Sequence, residues 1–246
     1  MSSVSSVGAI SFSQRLIDFL DRIQYRRLER AEELEHAFRL RYAAYVREGM
    51  IPIGFEKRLT DDYDHADNVH VFGVYMDGEM ASTIRVHHAS PENPHSPTVD
   101  AFPETLRPEI DKGHVIVDPT RFAVHPSVSG QHPELPYITA RLGFLASEYY
   151  GANLGLASVR VEHQAFYRRL FGMRPLCPPR QYHGLKKQLS LMGIDYCAVR
   201  ESVIARYPFM NATEAELDFL FSPDRAKVDP MATAIFAGRV EPANLH

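Results

Sequence analysis

Residues 59–67 read LTDDYDHAD and place four aspartates within seven positions, directly before an apolar run. Carboxylates this close together repel one another unless a cation lies between them. Arg41, Arg85 and Arg121 are the candidate counter-ions, and the ammonium group of a substrate would be a further one. The alternative interpretation is a solvated, aspartate-rich turn that leads into a strand. The pattern therefore indicates either a charged binding site or an exposed turn.

The composition is that of a globular chain, with 246 residues, 45% of them hydrophobic and 24% charged. A formal net charge of −4 gives no bulk attraction for nucleic acid or an anionic membrane, so any basic site must be local. Cys177 and Cys197 belong to no CxxC motif, which predicts neither a disulfide framework nor a zinc site and favours a cytoplasmic location. Residues 1–16 lack the pattern of a signal peptide, and no membrane span is expected.

The spacing of apolar residues predicts the element order β-α-β-β-β-α-β-α-β after a short amphipathic helix that starts at Phe12. Asp77-Gly78 is a strong hairpin signal. Pro119 lies inside a predicted strand, where it removes a ladder donor and predicts a bulge or a split. Residues 91–108 are interpreted as a proline-rich connection. The predicted elements are a strand at 22–29, a helix at 31–49, a hairpin at 69–88, a strand at 114–124, a helix at 135–151, a strand at 155–163 and a helix at 163–172.

Three short motifs follow one another along the chain: RLRYAAYV, with Arg41 and Tyr45; LTDDYD, with Asp61 and Asp64; and DPTRFAV, with Asp118 and Arg121. The stretch HQAFYRRLFGM, with Tyr167, follows them. In this order, and with this strand order, the motifs resemble those of the autoinducer (acyl-homoserine-lactone) synthases and the related N-acyl amino acid synthases, over about residues 25 to 185. The resemblance implies an α+β, GNAT-like (acyl-CoA N-acyltransferase) fold with a central mixed twisted sheet flanked by helices.

This fold divides the chain into a helical N-terminal extension (1–21), an acyltransferase domain (22–221) and a loose polar tail (222–246). The lactone synthases carry a Trp before the acidic motif and a Glu two residues before its first Asp. This chain has no Trp, and Leu59 stands at the Glu position. An amino acid or similar small amine is therefore the expected acceptor. The alternatives are a true lactone synthase that uses S-adenosylmethionine, and a catalytically silent module that binds an acyl or amino-acid ligand.

Acyl transfer to an amine needs an unprotonated amine and hydrogen-bond donors for the developing oxyanion. Asp118, directly or through water, is the candidate proton acceptor, and Arg121 is expected to pair with the acidic motif. The interruption of the strand between Pro119 and Phe122 would free a backbone N–H for the oxyanion, so Asp118, Arg121 and Phe122 are the predicted catalytic residues. The residues expected to bind substrate are Arg41, Tyr45, Asp61, Asp64 and Arg85. In the alternative interpretation, Tyr45, Phe122 and Tyr167 are core residues and Arg85 is a surface residue of its strand.

Enzymes of this fold that use coenzyme A hold its pyrophosphate with an (R/Q)-x-x-G-x-(G/A) loop. The corresponding stretch here, VHPSVSGQHPELP, has one Gly, and no Lys or Arg, which makes a poor anion cradle. Acyl carrier protein (ACP) is the expected donor carrier, with acyl-CoA possible and no bound cofactor expected. Since ACP is acidic, its docking surface should be basic; a solvated basic face is the alternative. The docking candidates are Arg168, Arg169, Arg174, Arg180, Lys186 and Lys187.

The chain has 12 histidines, including the pair His87-His88. No HxH or HxxxH spacing with a nearby carboxylate supports a metal site, so these residues are interpreted as surface histidines.

Overall fold

The computed structural model describes residues 11–182 and 184–223 of the chain. Most of the tail expected over 222–246 lies outside the described residues. Within the described ranges, every helix is too short or too polar to span a bilayer. The helices are α1 (Phe12–Leu20), α2 (Ala31–Arg47), α3 (Pro97–Ala101), α4 (Pro103–Asp111), α5 (Leu135–Tyr149), α6 (Gln164–Phe171), α7 (Tyr196–Arg206) and α8 (Glu214–Phe221).

A single mixed sheet forms the centre of the fold and confirms the predicted α+β architecture. Its order is β1-β2-β3-β4-β5-β8-β6, and β7 also pairs with β8. Neighbouring strands are antiparallel except β4 and β5, which are parallel. The strands are β1 (Ile23–Arg27), β2 (Val69–Met76), β3 (Glu79–Ala89), β4 (Ile116–Val124), β5 (Leu154–Arg160), β6 (Arg174–Pro175), β7 (Arg180–Gln181) and β8 (Gln188–Asp195).

The two parallel strands separate soon after they meet. Their pairing is limited to Ile116 with Leu154 and Val117 with Gly155. Beyond these pairs, β4 continues beside β3 and β5 continues beside β8, up to Arg160. We call the opening between β4 and β5 beyond these pairs the strand gap.

A bulge interrupts β4 beside the strand gap. Thr83 pairs with Ala123 and Arg85 with Thr120, so two residues of β4 stand opposite Ile84 alone. Arg121 carries the kink, with a φ of 53°. Pro119 keeps its register opposite Val86, so the interruption predicted at Pro119 begins two residues later.

The two faces of the sheet are covered by different helices. On one face, Val117 and Ala157 belong to the same apolar cluster as buried residues of α1 and α5. There α5 approaches β4 so closely that a Cβ on Gly143 would lie 2.6 Å from Pro119 Cγ. On the other face, Ile116 and Leu156 pack with apolar residues of α3 and α4.

The connection predicted over residues 91–108 is wrong, because it contains α3 and most of α4. Pro97 and Pro103 occupy the first turns of these helices, where the missing proline N–H has no intrahelical partner to lose. The Ser96 side chain caps α3 by accepting a hydrogen bond from Val99 N at 3.3 Å. The other predicted elements are present with shifted ends; the first helix stops at Leu20 and β5 stops at Arg160.

A buried arginine ties the C-terminal helices to α5. Arg141 is 3% exposed and donates to the backbone oxygens of Phe209, at 2.6 Å, and Asn211, at 2.7 Å. Its guanidinium also forms a two-pronged ion pair with Glu216 of α8, at 2.6 and 2.9 Å. Because both partners are largely buried, removal of the carboxylate would leave a buried charge without its counter-ion.

We expect Glu216→Ala to lower the free energy of unfolding by about 3 kcal/mol, the usual cost of breaking a buried ion pair from one side. Glu201→Ala is the matched control, since the Glu201 side chain is 86% exposed in its pair with Arg200. It should cost at most about 1 kcal/mol. Urea unfolding at neutral pH measures both, and equal losses would show that the Arg141 pair does not hold the C-terminal helices.

Candidate active site

Two aspartates and three arginines form one connected cluster on the sheet face that α2 and α3 cover. Asp61 pairs with Arg85 and, at 2.5 Å, with Arg121. Asp64 pairs with Arg41 at 2.7 Å and with Arg85 at 3.2 Å. The structure therefore brings together the arginines and the acidic motif as the sequence predicts, and the exposed-turn interpretation of the motif is wrong. Arg85 is 1% exposed, which also excludes its interpretation as a surface residue.

The five members of the cluster come from four local structures: α2 carries Arg41, the acidic motif carries both aspartates, β3 carries Arg85, and the β4 bulge carries Arg121. A 3₁₀ helix, Asp62–His65, folds the acidic motif so that Asp64 accepts from Thr60 Oγ1 at 2.9 Å and from Asp61 N at 3.2 Å. Arg85 extends from β3 and donates to Thr120 Oγ1 of β4 at 3.0 Å. The β4 bulge supplies Arg121. The left-handed backbone at Arg121 costs roughly 1 kcal/mol or more in a residue other than glycine.

The arginines keep both aspartates ionised. Burial opposes the charge on Asp61, but the hydrogen bond and charge of Arg85, and then Arg121, outweigh burial and lower its pKa to about 2. Burial likewise opposes ionisation of Asp64, and the charges of Arg41 and Arg85 lower its pKa. Carboxylates held this acidic are weak bases and suit binding or electrostatic roles.

Arg41 is fully buried at the back of the cluster. Its Nη1 donates to Asp64, while Nε and Nη2 have no hydrogen-bond partner within the described residues. Burial lowers the pKa of this guanidinium. The guanidinium carbon of Arg41 also lies over the Phe38 ring, at 5.3 Å from the ring centroid.

Asp118 lies apart from Arg121 and is held by the N-terminus of α3 instead. Its Oδ2 accepts from Ser96 Oγ at 2.7 Å and from Thr98 N at 3.0 Å, and its Oδ1 accepts from Thr98 Oγ1 at 2.7 Å. The side chain has no exposed surface. Burial raises the pKa of Asp118, although the hydrogen bonds from Thr98 and Ser96 oppose that change. Asp118 is therefore a better base than Asp61 or Asp64, but one that bulk solvent does not reach.

Tyrosines surround this charged region. Tyr45 lies beside Arg121, whose guanidinium is 5.9 Å from the Tyr45 ring centroid. Tyr182 donates from its hydroxyl to Pro97 O at 3.3 Å; burial, followed by the charge of Asp118, raises its pKa. Burial raises the pKa of Tyr63 to about 12, reinforced by its 3.0 Å hydrogen bond to Asp100.

His87 is buried, so its interpretation as a surface histidine is wrong. Its Nε2 lies 3.0 Å from Tyr63 O, and its Nδ1 has no partner among the described residues. Burial, followed by the charge of Arg85, lowers the pKa of His87 to about 3. The described residues contain no group of three or more His, Cys, Asp or Glu side chains that could hold a metal ion.

An apolar pocket lies on the opposite face of the sheet and enters the molecule at the strand gap. Its cavity volume is about 40 Å³, and about 490 Å³ of atom-free space is counted when the open mouth of the pocket is included. Its walls come from β4, β5, α5 and α6. The residues that line it include Val117, Pro119, Phe122, Ala157, Tyr167 and Phe171. Phe122 and Tyr167 are thus pocket residues, and burial raises the pKa of Tyr167.

The basic residues predicted to dock a partner are exposed, with one exception. Arg168 and Arg169 lie in the last turn of α6, and Arg174, Lys186 and Lys187 are exposed in the segments that follow. Lys187 is 4.0 Å from Glu162. Arg180 does not belong with them, because it pairs with Glu104 and stacks on Phe102, with 4.6 Å between its guanidinium and the ring centroid. Sequence gives no sign of that partner, which lies on α4.

Several residues of the site carry no motif. Ser96 and Thr98 lie in the segment interpreted as a connection, although Ser96 before a proline is a recognisable helix start. Ser158 of β5 lies 3.0 Å from Thr98 Oγ1. Tyr182 and Ser158 have no sequence signal that distinguishes them from ordinary strand or loop residues.

Comparison with known proteins gives a family and a fold. The family described as N-acyl amino acid synthase FeeM matches residues 36–195. No curated protein sequence matches the chain. Among solved structures, FeeM, an N-acyl amino acid synthase from uncultured soil microbes, superposes with a TM-score of 0.63 at 15% identity, covering 77% of this chain and 99% of FeeM.

Two further structures share the architecture. TofI, solved with an inhibitor and MTA, gives a TM-score of 0.54 at 17% identity, over 77% of this chain and 100% of TofI. The acyl-homoserine-lactone synthase LasI gives 0.52 at 16% identity, over 69% of this chain and 86% of LasI. At these identities the structural likeness establishes the fold, and it confirms the fold class predicted from the sequence.

We expect Asp61→Asn to reduce stability at neutral pH by about 2 kcal/mol, because the folded-state pKa of about 2 lies well below the unfolded value near 4. Because the pKa of Asp61 is lower in the folded protein than in the unfolded chain, Asp61 stabilises the fold at pH values above its pKa in the unfolded chain. This stabilisation is lost as the pH falls towards its pKa in the folded protein. The difference between wild type and Asp61→Asn should therefore shrink between about pH 4 and pH 2. The raised pKa of Asp118 acts in the opposite sense, but it is present in both proteins and cancels in the comparison.

Urea unfolding at several pH values measures this difference. Asp62→Asn is the control, because Asp62 is an exposed neighbour with no cation within 4.0 Å in the described part of the chain. Its effect should be small at every pH. A difference for Asp61→Asn that stays constant down to about pH 2 would contradict the ion-pair assignment.

Proposed function

The chain belongs to the N-acyl amino acid synthase FeeM family, and from that membership we propose that it moves a fatty acyl group from acyl-ACP to the amine of an amino acid. It is an acyltransferase of the N-acyl amino acid synthase type. The acyl donor, acyl-ACP, and the acceptor, an amino acid, go beyond the family membership and are proposed here.

One observation carries the proposal: the strand gap joins an apolar pocket on one face of the sheet to a charged cluster on the other. Val117, Pro119 and Ala157 line the pocket. Asp118 and Ser158 alternate with these residues along β4 and β5, so they belong to the opposite face. An acyl thioester lying in the gap would have its chain among apolar side chains and its carbonyl beside polar ones.

The charged cluster suits an acceptor that carries both an ammonium and a carboxylate. Of the two aspartates in the cluster, Asp61 is the exposed one, with 28% of its side chain accessible. Its low pKa keeps it available as an anion. Arg121, beside it, is 12% exposed and could hold a carboxylate in a two-pronged contact. Arg41 and Arg85 are too deeply buried to meet a ligand directly, and in this proposal they hold Asp64 and Asp61 in place.

The β4 bulge would contribute to the chemical step. Attack of an amine on a thioester places negative charge on the carbonyl oxygen, which backbone N–H groups stabilise when they point at it. Beyond Val117, β4 has no strand partner on its β5 side within the described residues. Its edge therefore supplies unpaired backbone groups where the carbonyl would lie, and Asp118 would receive the ammonium proton.

The donor proposal rests on the missing phosphate cradle and on surface charge. The segment before α5 holds no Lys or Arg, whereas Arg168, Arg169, Arg174, Lys186 and Lys187 are exposed beyond the pocket. An acidic carrier protein is complementary to these residues. The carrier also delivers its acyl group without the adenosine phosphates of coenzyme A.

We expect the protein, incubated with acyl-ACP and a mixture of amino acids, to form an N-acyl amino acid that mass spectrometry identifies. With acyl-CoA of equal chain length, kcat/KM should be at least about tenfold lower, a difference of about 1.4 kcal/mol. S-adenosylmethionine as acceptor is the comparison that separates an amino-acid synthase from a lactone synthase. Equal kcat/KM for the two donors would overturn the ACP proposal, and absence of any amide product would overturn the function.

We expect Ala157→Leu to shorten the acyl chain that the enzyme prefers, because the larger side chain would fill pocket volume beside the strand gap. For long acyl donors kcat/KM should fall by about tenfold or more, since each buried methylene contributes about 0.8 kcal/mol. Short acyl donors should be little affected. Ala81→Leu is the control: Ala81 is equally buried, at 3% exposed, on β3, but it does not line the pocket. A uniform loss for all chain lengths would place the acyl chain elsewhere.

A further inference from the structure

Asp118 cannot receive a proton from an acceptor by direct contact, because its side chain has no exposed surface. Both of its carboxylate oxygens are covered by groups of α3. A proton that reaches Asp118 must therefore pass through one of those groups. The candidates are the hydroxyls of Ser96 and Thr98, which are both fully buried as well.

The two hydroxyls lead in different directions. Ser96 Oγ contacts Val99 N at 3.3 Å in addition to Asp118, so its second contact ends in the backbone of α3. Thr98 Oγ1 lies 2.7 Å from Asp118 Oδ1 and 3.0 Å from Ser158 Oγ. Ser158 is half-buried. It is thus the member of this chain of hydroxyls that reaches towards solvent.

The direction of the hydrogen bonds follows from the number of protons. A hydroxyl has one proton to donate, and an ionised carboxylate can only accept. Thr98 therefore donates to Asp118, and its oxygen must accept from Ser158. Ser158 then has no proton left for another partner and presents its lone pairs outward, where it can accept a hydrogen bond from an ammonium.

Ser158 is also correctly placed along its strand. It lies beyond Gly155, the last residue of β5 that pairs with β4, and therefore borders the strand gap. It shares a sheet face with Leu156, which packs against α3 and α4, and with the Asp118 contacts. This is the face of the charged cluster, where the proposed acceptor would enter.

We propose that Ser158 and Thr98 form a proton relay from the acceptor's ammonium to Asp118, an inference that rests on the function proposed above. The ammonium N–H transfers its proton to Ser158 Oγ while the Ser158 proton moves to Thr98 Oγ1 and the Thr98 proton moves to Asp118 Oδ1. The result is a neutral amine, two neutral hydroxyls and a protonated Asp118. The nitrogen lone pair then attacks the thioester carbon, the C–S bond breaks, and the carrier's thiolate leaves with the second nitrogen proton. After the product leaves, the reverse sequence returns the proton to solvent.

The experiment compares Thr98→Val with Thr98→Ser in single-turnover assays. Valine keeps the shape and the backbone N–H that binds Asp118 but breaks the relay, so the rate should fall by about 10²-fold or more, the usual contribution of a positioned base. Serine restores a hydroxyl and should recover most of the rate. Ser158→Ala should resemble Thr98→Val, and Asp118→Asn should lose at least as much.

A second acceptor distinguishes the relay from a structural role. The N-hydroxy analogue of the same amino acid is unprotonated at neutral pH, so no base is needed to free its lone pair before attack, and the proton lost on acylation leaves with the thiol. With this acceptor, Thr98→Val and Ser158→Ala should react within about threefold of wild type, because the step that each variant lacks is no longer required. The KM for acyl-ACP should also be unchanged, since neither hydroxyl is assigned to the donor.

Thr139→Val is the matched control variant. Thr139 is a fully buried threonine whose hydroxyl lies 2.6 Å from Ser82 Oγ and donates to Leu135 O, so it reproduces the Thr–Ser pair away from the site. It should lower the melting temperature about as much as Thr98→Val without a selective loss of rate.

The outcomes separate the relay from the function. Equal losses with the amino acid and its N-hydroxy analogue, or no recovery in Thr98→Ser, would overturn the relay while leaving acyl transfer intact. A raised KM for acyl-ACP in Ser158→Ala would assign Ser158 to the donor and would also overturn the relay. If wild type forms no product with either acceptor, the proposed function itself fails.

Discussion

The separation of β4 from β5 is the constraint on which the rest of the structure depends. Parallel pairing stops after Val117 and Gly155, and a sheet that opens in its middle leaves backbone groups without strand partners. Buried backbone groups of this kind need a substitute partner. Each strand therefore relies on its outer neighbour, β3 or β8, and the helices on both faces hold the two halves of the sheet together. The opening is costly for stability, and it provides a place where two chemically different surfaces of the sheet can meet.

The arginine–aspartate cluster depends on the same opening. Three guanidinium groups and two carboxylates are brought together by α2, a 3₁₀ turn, β3 and the bulge, and each has at least one partner of opposite charge from another element. Removing Asp64 would leave Arg41, which is fully buried, without its counter-ion. Such an arrangement is weak evidence for stability, since apolar residues of similar volume would pack at less cost. Its retention makes better sense as a means of holding Asp61 and Arg121 at fixed positions beside the opening.

Sequence reasoning found the parts of this site that carry formal charge. A crowded acidic stretch requires cations, and that need alone links Asp61 and Asp64 with arginines far away in the chain. The hairpin at Asp77-Gly78 was equally predictable, because both residues adopt positive φ there, 52° and 87°. Formal charge and positive-φ turns can be recognised in a sequence because only a few residue types carry a charge or favour a positive φ.

The hydrogen-bond partners of Asp118 could not be recognised in this way. Asp118 was singled out as a proton acceptor, but its partners are two hydroxyl residues in a segment whose prolines indicated a loop. Serine and threonine occur everywhere, so a hydrogen bond across 20 residues cannot be recognised from their identity. Tyr182 was missed for the same reason. The bulge was predicted from Pro119 but is formed by the left-handed backbone of Arg121. An arginine in a sequence does not predict that conformation.

The opposite character of the two sheet faces has a consequence for how a product would leave. In the proposed function, a molecule assembled across the strand gap would have its polar head on one face and its acyl chain on the other, so it would have to withdraw lengthwise through the opening. Every methylene drawn out of the pocket re-exposes apolar surface, at about 0.8 kcal/mol each, which slows departure roughly fourfold per carbon. Turnover with long chains would then be governed by residence time on the enzyme rather than by bond formation. A membrane or binding protein that receives the chain as it emerges would act as an accelerator of the whole cycle.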